Sequence, residues 1–252
     1  MTADRLLNEN KPDSANMIIQ PIHLENPDLI EPLLLYKAKI ADAANLTKMG
    51  YDSMVVHYSK KPSGNLQRAM VFYGTKLGLT NDEIRRQVDR RRDSTSYIAT
   101  NFSLYNYRTL KSVSLSDYLG KVILLTYWYP GCGPCRAEFP FFEKAIKKFS
   151  GKDVVYLGIN TSESQSGFVL PFLKTTGHSF IPLLDSPNRN KGTLPSPYEP
   201  ANYLINQKGK IVFKDFQISD QNEETLVLMI SELLKEGLQF ENMTSLDSAK
   251  MK

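Results

Sequence analysis

Cysteine is almost missing from this chain: 252 residues carry two, Cys132 and Cys135. Two thiols cannot build a wider disulfide framework. They also fall short of a zinc site, which takes about four ligands, because His23, His57 and His178 are scattered and read as surface or packing residues. Covalent haem attachment is excluded, since Arg136 and not a histidine follows the second cysteine. No apolar run nears the roughly 18 residues needed to cross a bilayer. The start, Met1-Thr2-Ala3-Asp4-Arg5, lacks the basic-then-apolar pattern of a secretory signal. Two readings stay open: a cytoplasmic protein, or one from which an export signal has been removed. A strong charge of either sign is missing too, with a formal net of +4. The densest basic run, Arg85 to Arg92, is interrupted by Asp89 and followed by Asp93, as on a solvated helix face. No base-stacking motif or zinc-finger spacing points to nucleic acid. Redox chemistry remains for the two sulfurs.

What is present suits a soluble globular protein, with 41% hydrophobic and 23% charged residues. The length fits one large domain or two small ones. Residues 1–25 read as an irregular segment, with Asn10-Lys11-Pro12-Asp13-Ser14 as loop. Residues 26–95 read as all-helical. One helix opens at Asn26-Pro27-Asp28 and ends at Gly50, and a second spans Asn65 to Leu77. A third starts from a Thr80/Glu83 capping box and ends near Asp93.

Residues 96–237 change character. Phe102-Ser103-Leu104 and Ser112 to Leu115 are short alternating segments, and Val122 to Trp128 is a continuous apolar run typical of a strand buried on both faces. A helix follows from Gly133, then a buried strand over Val154 to Ile159 and a helix over Gly167 to Thr176. Ala201 to Ile205 and Lys210 to Phe213 form a hairpin, and a last helix runs from Asn222 to Lys235. The pattern predicts an α/β fold, a mixed central sheet covered by helices on both faces. Residues 238–252 read as a flexible tail.

The cysteines sit in WYPGCGPCRAEFP, where the buried strand hands over to a helix. Cys132 falls at the helix N-terminus, where unpaired N–H groups and the macrodipole favour an anion. Its thiol pKa is therefore expected to fall below the free value of about 8.5, making it the attacking sulfur. Cys135, one turn on, is in reach of the mixed disulfide that Cys132 forms and can resolve it. Pro134 fixes φ at the helix opening without losing a needed N–H. A static disulfide is the poorer reading, because so short a loop gives little loop-closure stabilisation.

Residues 101–236 resemble thioredoxin-fold proteins, specifically the envelope thiol–disulfide oxidoreductases of the TlpA/ResA type in the redoxin group. The resemblance lies in NFSLYNYRTLKSVSLSDYLGKVILLTYWYPGCGPCRAEFP, FVLPFLKTTGHSFIPLLD and YEPANYLINQKGKIV, and covers a little over half the chain. It implies a thioredoxin-like domain, thiol–disulfide exchange with protein thiols or disulfides and a redox partner protein, and an envelope location. It calls for no cofactor or metal. Residue by residue it implies Cys132 as nucleophile and Cys135 as resolving thiol, with Glu138 moving protons to or from Cys135. Pro140 matches the proline that kinks the active-site helix. Pro200 matches a cis-proline facing the cysteines, leaving the backbone of Glu199 to pair with a bound peptide. Trp128, Tyr129 and Pro130 are the expected neighbours on the substrate side, although Tyr129 and Pro130 fit simple packing equally.

The chain departs from the pattern in places. Gly131 stands where a tryptophan is usual, implying a less apolar and more flexible rim, and Thr126 stands where thioredoxin buries an aspartate. Glu199 is an unusual charge beside the proline, and the proline-rich loop Ser186 to Tyr198 is longer than typical. Two other functions compete. A peroxiredoxin-like thiol peroxidase needs Thr or Ser three places before the attacking cysteine, where Tyr129 stands. A binding or scaffold protein would work through the helical region.

Overall fold

The computed structural model describes residues 2–186 and 188–234. The expected tail, 238–252, and Lys235, the expected end of the last helix, lie outside the described residues. The chain divides between Ser94 and Thr95 into two compact units.

The first unit is helical: α1 Ala3–Asn8, α2 Pro12–Ile19, α3 Pro27–Ala43, α4 Thr47–Lys60, α5 Gly64–Lys76 and α6 Asn81–Thr95. Residues 1–25, expected to be irregular, hold two of these. The Thr2 side chain caps α1, and Pro12, read from sequence as loop, is the first residue of α2, where its missing N–H costs nothing. Ala3, Leu6, Ala15 and Ile19 then bury against Ile40. The expected single helix to Gly50 is instead α3 and α4. Asn45 adopts a left-handed φ of 59° and the Leu46 N–H donates to Ala41 O at 2.8 Å, a helix-terminating turn. Gly50 is no stop: a Cβ there would lie 2.9 Å from Ala38 Cα, so the glycine lets α3 and α4 approach. The Thr80/Glu83 capping box opens α6 as expected. Arg92 departs from the solvated basic face; it is buried, with Nε donating to Ser59 O at 3.3 Å and its guanidinium over the Tyr58 ring.

The second unit runs β1 Tyr97–Ile98, β2 Ser103–Asn106, β3 Ser112–Ser114, β4 Val122–Trp128, α7 Gly133–Lys148, β5 Val154–Asn160, α8 Ser166–Thr176, β6 Ile181–Leu184, β7 Ala201–Ile205, β8 Lys210–Lys214 and α9 Glu223–Leu234. The sheet order is β1-β8-β7-β4-β5-β6-β2-β3. In it β4 pairs parallel with β5 and antiparallel with β7, while β5 and β6 are parallel. A βαβ half and a ββα half meeting along β4, which is buried at all seven positions, make this a thioredoxin-like fold. β1 and β6 were not foreseen: one has two residues, and Pro182 lies inside the other.

Side chains alternate cleanly across β4. Val122, Leu124 and Trp128 join α7, α8 and α9 in one core, whereas Ile123, Leu125 and Tyr127 join a second core with Leu157, Leu183, Leu194 and Tyr203. Helices were expected on both faces; in this unit all three gather on the first. The crossovers β4–α7–β5 and β5–α8–β6 step the same way along the sheet, and right-handed connections then land on the same side. The second face is closed partly by the loop after β6. Tyr127 Oη donates to Leu194 O at 3.1 Å and accepts from Arg189 Nη2 at 2.7 Å, and Tyr203 Oη donates to Pro195 O.

The first core is tightest around Trp128, whose ring lies 5.4 Å from Phe139 and 5.1 Å from Phe180. Gly158 on β5 makes room for it: a Cβ there would fall 2.5 Å from the Phe180 ring and 3.0 Å from Trp128 Nε1. Gly158→Ala is therefore expected to destabilise the protein by roughly 1–3 kcal/mol through overpacking. Urea unfolding would measure it, and an unmoved midpoint would refute the close packing.

Candidate active site

The end of β4 fixes where the cysteines fall. The Cys132 N–H donates to Tyr129 O at 2.9 Å, closing a turn after the strand, and the Gly131 N–H donates to Gln165 Oε1 at 2.8 Å. Gln165 is held at the start of α8, where Tyr107 Oη donates to Ser166 Oγ at 2.9 Å and accepts from Asn160 Nδ2 at 2.8 Å. Cys132 is then the N-cap of α7, with extended backbone and Pro134 in the first turn. Its sulfur accepts the Cys135 N–H at 3.2 Å, the bond by which a capping side chain satisfies an orphan helix donor. The two cysteines form a disulfide with Cα atoms 5.4 Å apart, and both are buried in this oxidised state.

Glu138 follows one turn after Cys135 on α7 and is also buried, at 5% exposure. Its Oε1 accepts from the Ile218 N–H at 2.8 Å and its Oε2 from Asn202 Nδ2 at 2.9 Å. Burial pushes its pKa above the ordinary carboxyl value, and the two hydrogen bonds pull part of the way back. Thr126 donates from Oγ1 to Asn202 Oδ1 at 2.9 Å, extending the chain of contacts into the sheet.

The remaining expected residues divide. The Glu199–Pro200 bond is cis, with Pro200 buried and Glu199 half-buried. Because Tyr127 pairs with Ala201, Pro200 lies at the end of the sheet from which β4 leads to the cysteines. Tyr129 and Pro130 are half-buried. Trp128 requires correction: it is fully buried inside the aromatic cluster and cannot line a substrate rim. Pro140 lies within α7, and Arg136 sits 5.7 Å above the Phe172 ring. His178 packs on Phe139 and Phe172, in keeping with a packing histidine. Sequence reasoning missed Gln165 and Asn202. The signal for Asn202 was available, as an amide on the core-facing side of the apolar strand Ala-Asn-Tyr-Leu-Ile.

Among the described residues no cluster of three or more His, Cys, Asp or Glu is placed to hold a metal ion, and no helix is long and apolar enough to cross a membrane.

With fold and site in view, comparison with known proteins is specific. Residues 94–228 match the Redoxin family model, and the chain belongs to that family. ResA of Bacillus subtilis (strain 168), a thiol–disulfide oxidoreductase, is 33% identical over 102 residues, 40% of this chain and 56% of that protein. The thioredoxin-like protein YneN of the same organism is 32% identical over 129 residues, 51% of this chain and 74% of its own length. The chain thus spans little more than half the length of ResA. The solution structure of a thiol:disulfide interchange protein from Bacteroides sp. aligns with TM-score 0.49 and 23% identity, covering 59% of this chain and 95% of that one.

Glu138 makes the oxidised protein's stability pH-dependent. A carboxyl with a raised folded pKa contributes fully to stability below its unfolded value, 4.5, and loses that contribution as pH rises through the folded value. Glu138→Gln cannot titrate. Stability of the unmutated protein relative to Glu138→Gln should therefore fall in urea unfolding as pH rises above the unfolded value, 4.5. Parallel curves for the two proteins would show an unperturbed carboxyl.

Proposed function

We propose that this protein is a thiol–disulfide oxidoreductase that reduces disulfides in partner proteins through Cys132 and Cys135. The observation that carries the reading is the Cys135 N–H bound to the Cys132 sulfur at the start of α7. The same donor that meets the disulfide sulfur stabilises the thiolate once the pair is reduced, lowering the Cys132 pKa. Family membership supports the same chemistry, as do the relatives named thiol–disulfide oxidoreductases.

In the reduced protein the Cys132 thiolate attacks a client disulfide. A bond forms between Cys132 Sγ and one client sulfur, the client S–S bond breaks, and the other client sulfur leaves as a thiolate. Cys135 then gives its proton to the Glu138 carboxylate and attacks Cys132 Sγ. The mixed disulfide breaks, the second client thiolate departs, and Cys132–Cys135 is left oxidised as described above. Two electrons have moved from the pair to the client, and a redox partner protein returns them. Glu199 and Pro200 offer backbone to the client peptide, with Tyr129 and Pro130 beside it. By likeness to the TlpA/ResA type, the cell envelope is the proposed location.

Insulin reduction tests the reading. Cys132→Ser should lower turnover at least about 100-fold, as loss of a nucleophile does. Cys135→Ser should accumulate a covalent adduct with the client that dithiothreitol releases. Undiminished turnover in Cys132→Ser would falsify the assignment.

A further inference from the structure

We propose that Asn202, with Thr126 behind it, is a positioning residue for this exchange: its side-chain amide keeps the buried Glu138 carboxylate ionised, ready to take the Cys135 proton. The inference rests on the reading that Cys132 and Cys135 exchange disulfides and that Glu138 is the proton acceptor.

The hydrogen-bond inventory carries it. Asn202 Nδ2 has two hydrogens and two acceptors, Glu138 Oε2 and Phe216 O, both at 2.9 Å. Phe216 O is a backbone carbonyl and can only accept, so the amide nitrogen and not the oxygen must lie on the side that faces it and Glu138. The amide oxygen is left for Thr126 Oγ1, which donates to it at 2.9 Å. Thr126 and Asn202 are directly paired across β4 and β7, so the sheet register itself holds the amide in place. All three side chains are at most 5% exposed, where water cannot substitute for a lost donor. Leucine at 202 would strip Glu138 of one of its two N–H partners and leave Phe216 O bare. Aspartate there would set a second carboxylate against the first.

Little else around Glu138 titrates in the working range. Cys135 lies on α7 itself, Thr126 on β4, Asn202 on β7 and the Ile218 N–H before α9. Tyr156 on β5 senses Glu138, but burial pushes its phenol well above its ordinary value of 10.0, so it stays neutral. Glu143, further along α7, instead accepts the Ser179 N–H at 2.7 Å and lies 4.0 Å from His178.

The test follows the release of thionitrobenzoate from Cys132 by Cys135 in stopped flow, across about pH 5 to about pH 9. Asn202→Leu should slow release roughly tenfold near neutral pH and move the rising limb to higher pH, as expected when the general base keeps its own proton to higher pH. Glu138→Gln should lose that limb, and adding Asn202→Leu to it should change nothing further. An unchanged profile in Asn202→Leu, or the same slowing with and without Glu138, overturns the proposal. Should Asn202→Leu fail to fold, Thr126→Val, alone and with Glu138→Gln, decides by the same criteria with a smaller shift. A normal profile in Glu138→Gln overturns both this proposal and the proton role of Glu138, leaving the oxidoreductase reading to the insulin assay. Absence of any release by the unmutated protein sinks that reading itself.

Discussion

A backbone N–H pointed at a sulfur organises this molecule. Cys135 N–H reaches Cys132 Sγ only because α7 starts at Gly133, and α7 starts there because β4 ends at Trp128 and the Tyr129 carbonyl closes the turn. β4 can hold that position because it lies between β5 and β7 with every side chain buried. The strand brings the chain to the site, the helix supplies the donor, and both aromatic and polar contacts behind them keep the two from sliding. Nothing in this arrangement needs a charged neighbour to favour a thiolate, since the dipoles of the helix end are fixed by the fold.

Polar groups inside the sheet divide the two cores by task. On the helical face, Thr126, Asn202 and Glu138 form a connected chain that ends on α7, one turn after Cys135. On the opposite face, Tyr127, Arg189, Asp185 and Lys191 tie the loop after β6 to the sheet, with Arg189 Nε 2.9 Å from Asp185 and Lys191 Nζ 3.0 Å from the same carboxylate. Adjacent residues of one strand, 126 and 127, thus begin two unrelated networks, which is what a side-chain period of two makes possible.

Much of the fold was legible because its strongest signals are local. A seven-residue apolar run can only be a buried strand or a buried helix piece, and the Gly-Cys-Gly-Pro-Cys sequence after it settles the choice. Asn26, Thr80 and Pro134 mark helix starts by their own chemistry. What was not legible depends on contacts distant in sequence. The helices α1 and α2 are too short to announce themselves and exist through burial against Ile40 of α3. Gly50 looked like a stop and is a point of close approach, which only the Ala38 backbone opposite reveals. At the site, the cysteines could be named from their place at a helix start, and Glu138 from the family resemblance. Asn202 could not, since its meaning depends on register with Thr126 across the sheet. Trp128 was misread because adjacency to the cysteines in sequence says nothing about depth: it shares their core and is fully buried in it.

Gly131 was expected to loosen the approach to Cys132, yet its N–H is tethered to Gln165. A Cβ at 131 would already stand 3.1 Å from Gln165 Oε1. A side chain in that place would press on the amide end of Gln165 and on its bond to the chain just ahead of the sulfur. Whatever stands at 131 is therefore felt first at 165, so the doorway to the sulfur is furnished as much by the opening of α8 as by the loop that carries the cysteine.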